Sequence, residues 1–303
     1  MTGGGYLKDR AWLYLPFFGA LALLCAVILL LPYETVYVRD RAYLSAFLFS
    51  IVLCLAVFFI GTLYNMLLWM HGKGLTGTPE RRLVRTLLRA LRLVISRRFG
   101  RIFGTFAKDA LYLSKLKDRS VSRWFMHLMI LGGFVLMFAL DLLVTFSLDF
   151  LKYGPMISED GWAKLWLRDF GFDLVGLMML VGLLIAAVRR FVLRPKMVRT
   201  ELPDSASILF LLAVVLGGFV LEGMGIAGSI PGHTENIEYS FVGYLFSLPM
   251  PEDAGDLYDQ AWLVHGIMSA LLIAYIPFSK LFHMIATPIA IELESAFPKE
   301  GAR

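Results

Sequence analysis

The chain holds five histidines, His71, His127, His233, His265 and His283, and only two cysteines, Cys25 and Cys54. Two thiols with no C-x-x-C pair are too few for an iron–sulfur cluster or a Cys-based zinc site on this chain, and both cysteines read as small apolar filler. Metal or proton chemistry therefore falls to imidazoles. His127, His265 and His283 lie inside apolar stretches, where an ionisable side chain is costly and usually functional. In a continuous helix, the eighteen residues between His265 and His283 are five turns, which puts both on one face about 27 Å apart. One would then sit near each surface of a membrane, and His127, at the start of another apolar stretch, would match His283 in depth. Two histidines at one depth on facing helices can hold haem b, one imidazole on each side of the iron. Spacing alone leaves haem ligation, packing and a proton path all open.

The elements that must position these residues are membrane helices. Of the 303 residues, 58% are hydrophobic and 17% charged, against about half and about a quarter in soluble domains. The excess falls in blocks near the roughly twenty residues a helix needs to cross the hydrocarbon. There are six, at about Trp12–Leu31, Tyr43–Met70, Trp124–Phe146, Phe170–Val188, Ile208–Ile230 and Ala261–Ile291. The first two carry no charge, and the others carry Asp141, Asp173, Glu222 and Lys280. No alternating ten-residue pattern points to a barrel. The first block lacks a small-x-small cleavage site and is not read as a signal peptide.

Charge orients the spans. Residues 71–123 hold 14 Lys or Arg against 3 acids, and 189–204 hold 5 against 2. Residues 229–260 hold six acids and no Lys or Arg. Positive residues stay cytoplasmic, which places the N-terminus, the 71–123 and 189–204 loops and the C-terminus in the cytoplasm and requires an even number of spans. The basic excess implies anionic lipid head groups and no nucleic acid. Within 71–123, Leu83, Val84, Leu87, Leu88, Leu91, Val94 and Ile95 recur at helical spacing. Arg81, Arg82, Arg85, Arg89 and Arg92 fill the other positions. This segment is predicted to be an amphipathic helix on the cytoplasmic membrane surface, or a docking face for a partner.

The segment His265-Gly-Ile-Met-Ser-Ala-Leu-Leu-Ile-Ala-Tyr-Ile-Pro-Phe-Ser-Lys-Leu-Phe-His283, followed by Met-Ile-Ala-Thr-Pro288, resembles the last helix of the gamma subunit of respiratory nitrate reductase. It resembles still more closely the cytochrome b subunits related to the E subunit of heterodisulfide reductase, including the DsrM-type and Tmc-type membrane cytochromes of sulfur and sulfate metabolism. Arg123-Trp-Phe-Met-His127-Leu-Met-Ile-Leu-Gly-Gly-Phe134 resembles the first haem-bearing helix of that group. Arg189-Arg190-Phe-Val-Leu-Arg194-Pro195 and Gly218-Phe-Val-Leu-Glu222 resemble its next two helices. The likeness covers residues 45–291.

The resemblance implies one or two haems b, menaquinone chemistry in the membrane, and a cytoplasmic iron–sulfur protein as partner, with further membrane and periplasmic cytochrome subunits. Carried over by position, His127 and His283 match the ligands of a cytoplasmic haem, and His265 one ligand of an outer haem. Nitrate reductase gamma subunits place the outer haem's second ligand ten residues after the first histidine, and here that residue is Met137. Either this methionine ligates, or another group such as His233 is recruited, or the outer haem is absent or five-coordinate. A His/Met haem would have a raised potential. His71 reads as an interfacial residue.

Arg123, Arg189, Arg190 and Lys280 are candidates to pair haem propionates, or serve as positive-inside anchors. Asp141, Lys152, Asp173 and Glu222 are candidates for a quinone site, or make structural hydrogen bonds. The chain is thus expected to be an all-α integral membrane protein of six helices. Residues 1–42 would be an extra N-terminal helix, 43–291 a five-helix cytochrome b core that includes the 71–123 loop, and 292–303 a cytoplasmic tail. Its expected role is electron transfer in a quinone-linked oxidoreductase complex of anaerobic respiration. The alternatives are a haem-independent transporter or proton channel, against which stands the lack of an internal repeat, and a structural membrane anchor.

Overall fold

The computed structural model describes residues 41–69, 78–94, 112–193, 202–233 and 235–283, with isolated positions at 19, 21–22, 26, 100, 104, 107–108 and 286. The described residues are helical, with no strand among them. Hydrocarbon offers no water to satisfy a backbone, so each segment must bond within itself. The helices are α1 (Arg41–Trp69), α2 (Pro79–Val94), α3 (Val121–Thr145), α4 (Phe170–Ala187), α5 (Leu202–Ala227), α6 (Phe241–Ser247) and α7 (Tyr258–Tyr275). Wider π-helical turns extend α3 over Phe146–Phe150 and flank α4 at Lys164–Asp169 and Val188–Leu193.

Five stretches are long and apolar enough to cross a membrane: Ala42–Trp69, Val121–Leu148, Lys164–Leu193, Ser205–Ala227 and Glu252–Phe278. The chain is a multi-pass membrane protein, and these five match the second to sixth apolar blocks. The first block, Trp12–Leu31, lies outside the described residues apart from four positions, as do His71 and the 292–303 tail. Within the 71–123 loop lies α2. It starts on Pro79 with Glu80 in its first turn and ends with Arg92 in its last, the arrangement a helix dipole favours.

Contacts divide the chain into two units. One comprises Met1–Leu31, Leu48–Ala110 and Ile273–Arg303, and the other Pro32–Phe47 and Leu111–Leu272. In the first, the sixth span breaks. Ile276–Phe278 and Lys280–Phe282 are single 3-10 turns, separated by Ser279 in extended conformation. Pro277 has no N–H, and its ring clashes with the carbonyl one turn back. Its own carbonyl accepts from Asn65 Nδ2 at 2.7 Å, which meets the need of a polar group freed by the break. Gly61 permits this approach, since a Cβ there would stand 2.7 Å from the Phe278 ring and 2.8 Å from Pro277. The uninterrupted helix expected over Ala261–Ile291 is therefore corrected. His265 and His283 do not share one continuous helix, and the five-turn, one-face arithmetic fails for that reason.

The second unit is held by small residues that let helices approach closely, as membrane helices require. A Cβ at Gly133 on α3 would lie 2.3 Å from Met179 on α4, and one at Gly182 would lie 2.8 Å from Met129 and Ile130. Gly176 on α4 admits the Phe219 ring of α5, and Gly223 on α5 admits the backbone of α6 at Phe246. Phe47 packs edge-on against Trp262 with centroids 5.0 Å apart.

Candidate functional site

The histidine sites are built by local backbone. Ser120 caps α3, its Oγ accepting from the Arg123 amide at 3.4 Å. One turn later His127 Nδ1 lies 2.8 Å from the Arg123 carbonyl. A carbonyl only accepts, so Nδ1 carries the hydrogen, and in the neutral ring Nε2 is the nitrogen with the lone pair. His283, at the end of the last 3-10 turn, makes the same type of bond from Nδ1 to the Lys280 carbonyl. Each ring is thus oriented by its backbone with Nε2 as the acceptor nitrogen, which is the arrangement of a metal-ligating imidazole. The two belong to different units.

His265 lies midway along α7 and faces Gly217 and Gly218 of α5. A Cβ at Gly217 would be 3.1 Å from its Nδ1, and one at Gly218 3.5 Å from its Cε1. That Nδ1 is buried with no hydrogen-bond partner among the described residues. His265 thus lacks the backbone anchor that orients His127 and His283. Met137, the other outer-haem candidate, is placed against α4. Its Cε lies 3.6 Å from where a Gly176 Cβ would stand, next to Phe219. His233 has its Nε2 3.0 Å from the Tyr258 hydroxyl.

Among the cationic candidates, Arg123 is exposed at the start of α3, Arg189 and Arg190 are half-buried just after α4, and Lys280 is exposed beside His283. Of the four quinone-site candidates, the structure brings two together. Asp141 is exposed on α3 and Lys152 is exposed in the turn that follows. Asp173 on α4 is fully buried, and its Oδ2 accepts from the Val242 amide of α6 at 2.6 Å. Glu222 on α5 interacts with Asp173 and with Ser240, and lies so close over Gly243 that a Cβ there would fall 2.4 Å from its side chain.

Beside this pair is a cluster that sequence reasoning missed. Lys164 is only 1% exposed, with Nζ 2.9 Å from Glu159 Oε2 and 3.3 Å from Asp169 Oδ2. Arg168 Nε lies 3.4 Å from Asp169 Oδ1, and its Nη2 donates to the Gly232 carbonyl at 3.0 Å. The available signal was the four-residue spacing Lys164/Arg168 and Asp169/Asp173 at the mouth of the fourth span. Burial, then the nearby charges of Arg168 and Lys164, push the His233 imidazole down to about 3. His233 is therefore neutral at physiological pH.

The family described as nitrate reductase gamma subunit matches residues 156–294, a stretch that includes His265, His283, Asp173 and Glu222 but not His127. The E subunit of dihydromethanophenazine:CoB–CoM heterodisulfide reductase from Methanosarcina acetivorans is 34% identical over 188 residues, 60% of this chain and 62% of that protein. The Methanosarcina mazei counterpart is 32% identical over 188 residues, 60% of this chain and 64% of that protein. An EtfAB:quinone oxidoreductase from Syntrophomonas wolfei subsp. wolfei is 30% identical over 126 residues, 38% of this chain and 18% of that protein. The chain spans about three fifths of the length of the heterodisulfide reductase relatives it matches. No solved structure matches it significantly. The resemblance first met in the histidine segments thus holds: over 156–294 the chain is similar to the nitrate reductase gamma subunit, and over 188 residues to the E subunit of heterodisulfide reductase.

Proposed function

We propose that the chain is the haem b subunit of a membrane complex, moving electrons between menaquinone and an iron–sulfur partner on the cytoplasmic side. The observation that carries this reading is the shared anchoring of His127 and His283. Each ring has Nδ1 bound to a backbone carbonyl and Nε2 left to ligate. The similarity to the E subunit of a heterodisulfide reductase supports the same reading. Two relatives are named for dihydromethanophenazine and for quinone, which favours a lipid-soluble carrier of that class.

Haem b, when bound, supplies a one-electron ferric/ferrous couple. His127 and His283 would hold the cytoplasmic haem, with Arg123, Arg189, Arg190 and Lys280 offsetting propionate charge. His265 would hold an outer haem. The second ligand of that haem would be Met137 or a recruited group such as His233. The orientation follows the charge asymmetry of the loops, with both termini, α2 and the 189–204 loop cytoplasmic. The core would be 43–291, preceded by the extra helix in 1–42 and followed by the 292–303 tail. On this reading α2 lies on the cytoplasmic lipid surface.

The test is a reduced-minus-oxidised spectrum of the protein purified from a haem-replete host. A b-type spectrum is expected. If no haem co-purifies, the electron-transfer reading fails, and a haem-free transporter or anchor takes its place.

A further inference from the structure

The Asp173 and Glu222 carboxyls meet between α4, α5 and α6, at the end of the bundle that bears the 229–260 loop. Asp173 is fully buried. Its Oδ2 accepts from the Val242 amide at 2.6 Å, and the Gly243 amide also points to this carboxyl. Its Oδ1 is buried with no partner among the described residues. Glu222 faces it, confined by Gly243 and bonded to Ser240.

Among the described residues, neither carboxyl is in an ion pair. The cations of this end, Lys164 and Arg168, engage Glu159 and Asp169. Asp169 is the next carboxylate to act on Glu222, so it adds repulsion and no compensation. His233 is neutral and bound to Tyr258. Two ionised carboxyls in such a place repel, and a buried oxygen without a donor is costly. One proton between them cures both defects. The amides of α6 favour the anion on Asp173, whereas Glu222 receives none. The proton therefore resides on Glu222, whose O–H donates to Asp173.

We propose that Asp173 and Glu222 form a proton-transfer site, an acid–carboxylate pair that accepts a second proton and returns it through the Ser240 hydroxyl toward the 229–260 loop. Acceptance takes the pair from one negative charge to none. Only O–H bonds form and break, and no electron passes through the pair. That the incoming proton comes from a quinol hydroxyl rests on the function proposed above, but the exchangeable proton itself does not.

Infrared difference spectroscopy of the full chain in lipid tests this, with wild type compared with Glu222→Gln at neutral pH in H2O and D2O. Glutamine keeps the shape, and its amide donates where the acid did. The expected result is loss of one protonated-carboxyl band, a band that shifts in D2O in the wild type. Asp173→Asn is expected to keep that band at a moved frequency and to lose a carboxylate band instead. Asp141→Asn and Asp169→Asn identify the contributions of two further carboxyls within the spans. The proposal is overturned if Glu222→Gln removes only carboxylate bands, or if the protonated band does not exchange with D2O and is a sealed structural bond. Should a variant fail to fold, the wild-type chain decides. Once the Asp141 and Asp169 bands are subtracted, it must still show an exchangeable protonated carboxyl. Absence of haem overturns the proposed electron transfer and leaves this band in place, so the two failures are distinct.

Discussion

His265 on α7 packs against Gly217 on α5 with no space for a side chain between them, its Nδ1 3.1 Å from where a Cβ would stand. Gly217→Leu is accordingly expected to displace the imidazole. Overpacking of this kind costs about 1–3 kcal/mol. If His265 ligates an outer haem, haem content falls while the spectrum of the remainder keeps its form. Haem-to-protein ratio and the redox titration of the purified variant check this.

His127→Ala and His283→Ala each remove a ring whose Nδ1 is tied to a backbone carbonyl. Either substitution is expected to abolish the low-spin spectrum of the proposed cytoplasmic haem. His233→Asn is expected to leave it unchanged, because His233 is engaged by Tyr258. An unchanged spectrum in His127→Ala would refute that ligand assignment.

Lys164→Met leaves Glu159 and Asp169 without the ammonium that lies 2.9 and 3.3 Å away. Breaking a buried pair from one side costs about 3–5 kcal/mol, and Arg168, still beside Asp169, brings the expectation to the lower end. Thermal denaturation in detergent should show a lowered midpoint, partly restored by Asp169→Asn.

His233 is held down to about 3 in the fold, against about 6.5 in an unfolded chain. The unfolded state alone takes up the proton between these values. The stability contribution is thus complete above pH 6.5 and declines as pH falls toward 3. By pH 5 the loss is about 2 kcal/mol from this group. His233→Gln removes that part of the acid sensitivity, which denaturation midpoints at pH 7 and pH 5 measure.

Asn65 donates to the Pro277 carbonyl at 2.7 Å where the sixth span breaks. Asn65→Leu leaves that carbonyl without its donor and is expected to cost about 1–3 kcal/mol. Gly61→Leu is expected to do more harm, because a Cβ at 61 already meets both Pro277 and Phe278. Expression level and thermal midpoint report both.

The sequence by itself determined that this is a membrane protein, because runs of apolar residues longer than twenty admit no other solvent. It located the second, third and fifth spans to within a turn and the fourth to within two. It also pointed to His127, His265 and His283 through the cost of placing imidazoles in hydrocarbon. The sixth span was misjudged because hydropathy does not register a proline's missing N–H, whereas Asn65, more than two hundred residues away, is what makes the break at Pro277 tolerable.

Only the tertiary structure decided which polar residues meet. Asp173 and Glu222 are forty-nine residues apart in the chain, and what joins them is a short helix, α6, that arrives from a third place and supplies the Val242 amide. Asp141 has the same composition-level signature as Asp173 but faces outward. Met137 has the spacing of a ligand, and its terminal carbon rests near Gly176 of α4. One-dimensional spacing records the turn on which a residue lies. Which side of its helix meets which neighbour is settled by close packing, here by glycines such as Gly176, Gly217 and Gly243 that let particular side chains in.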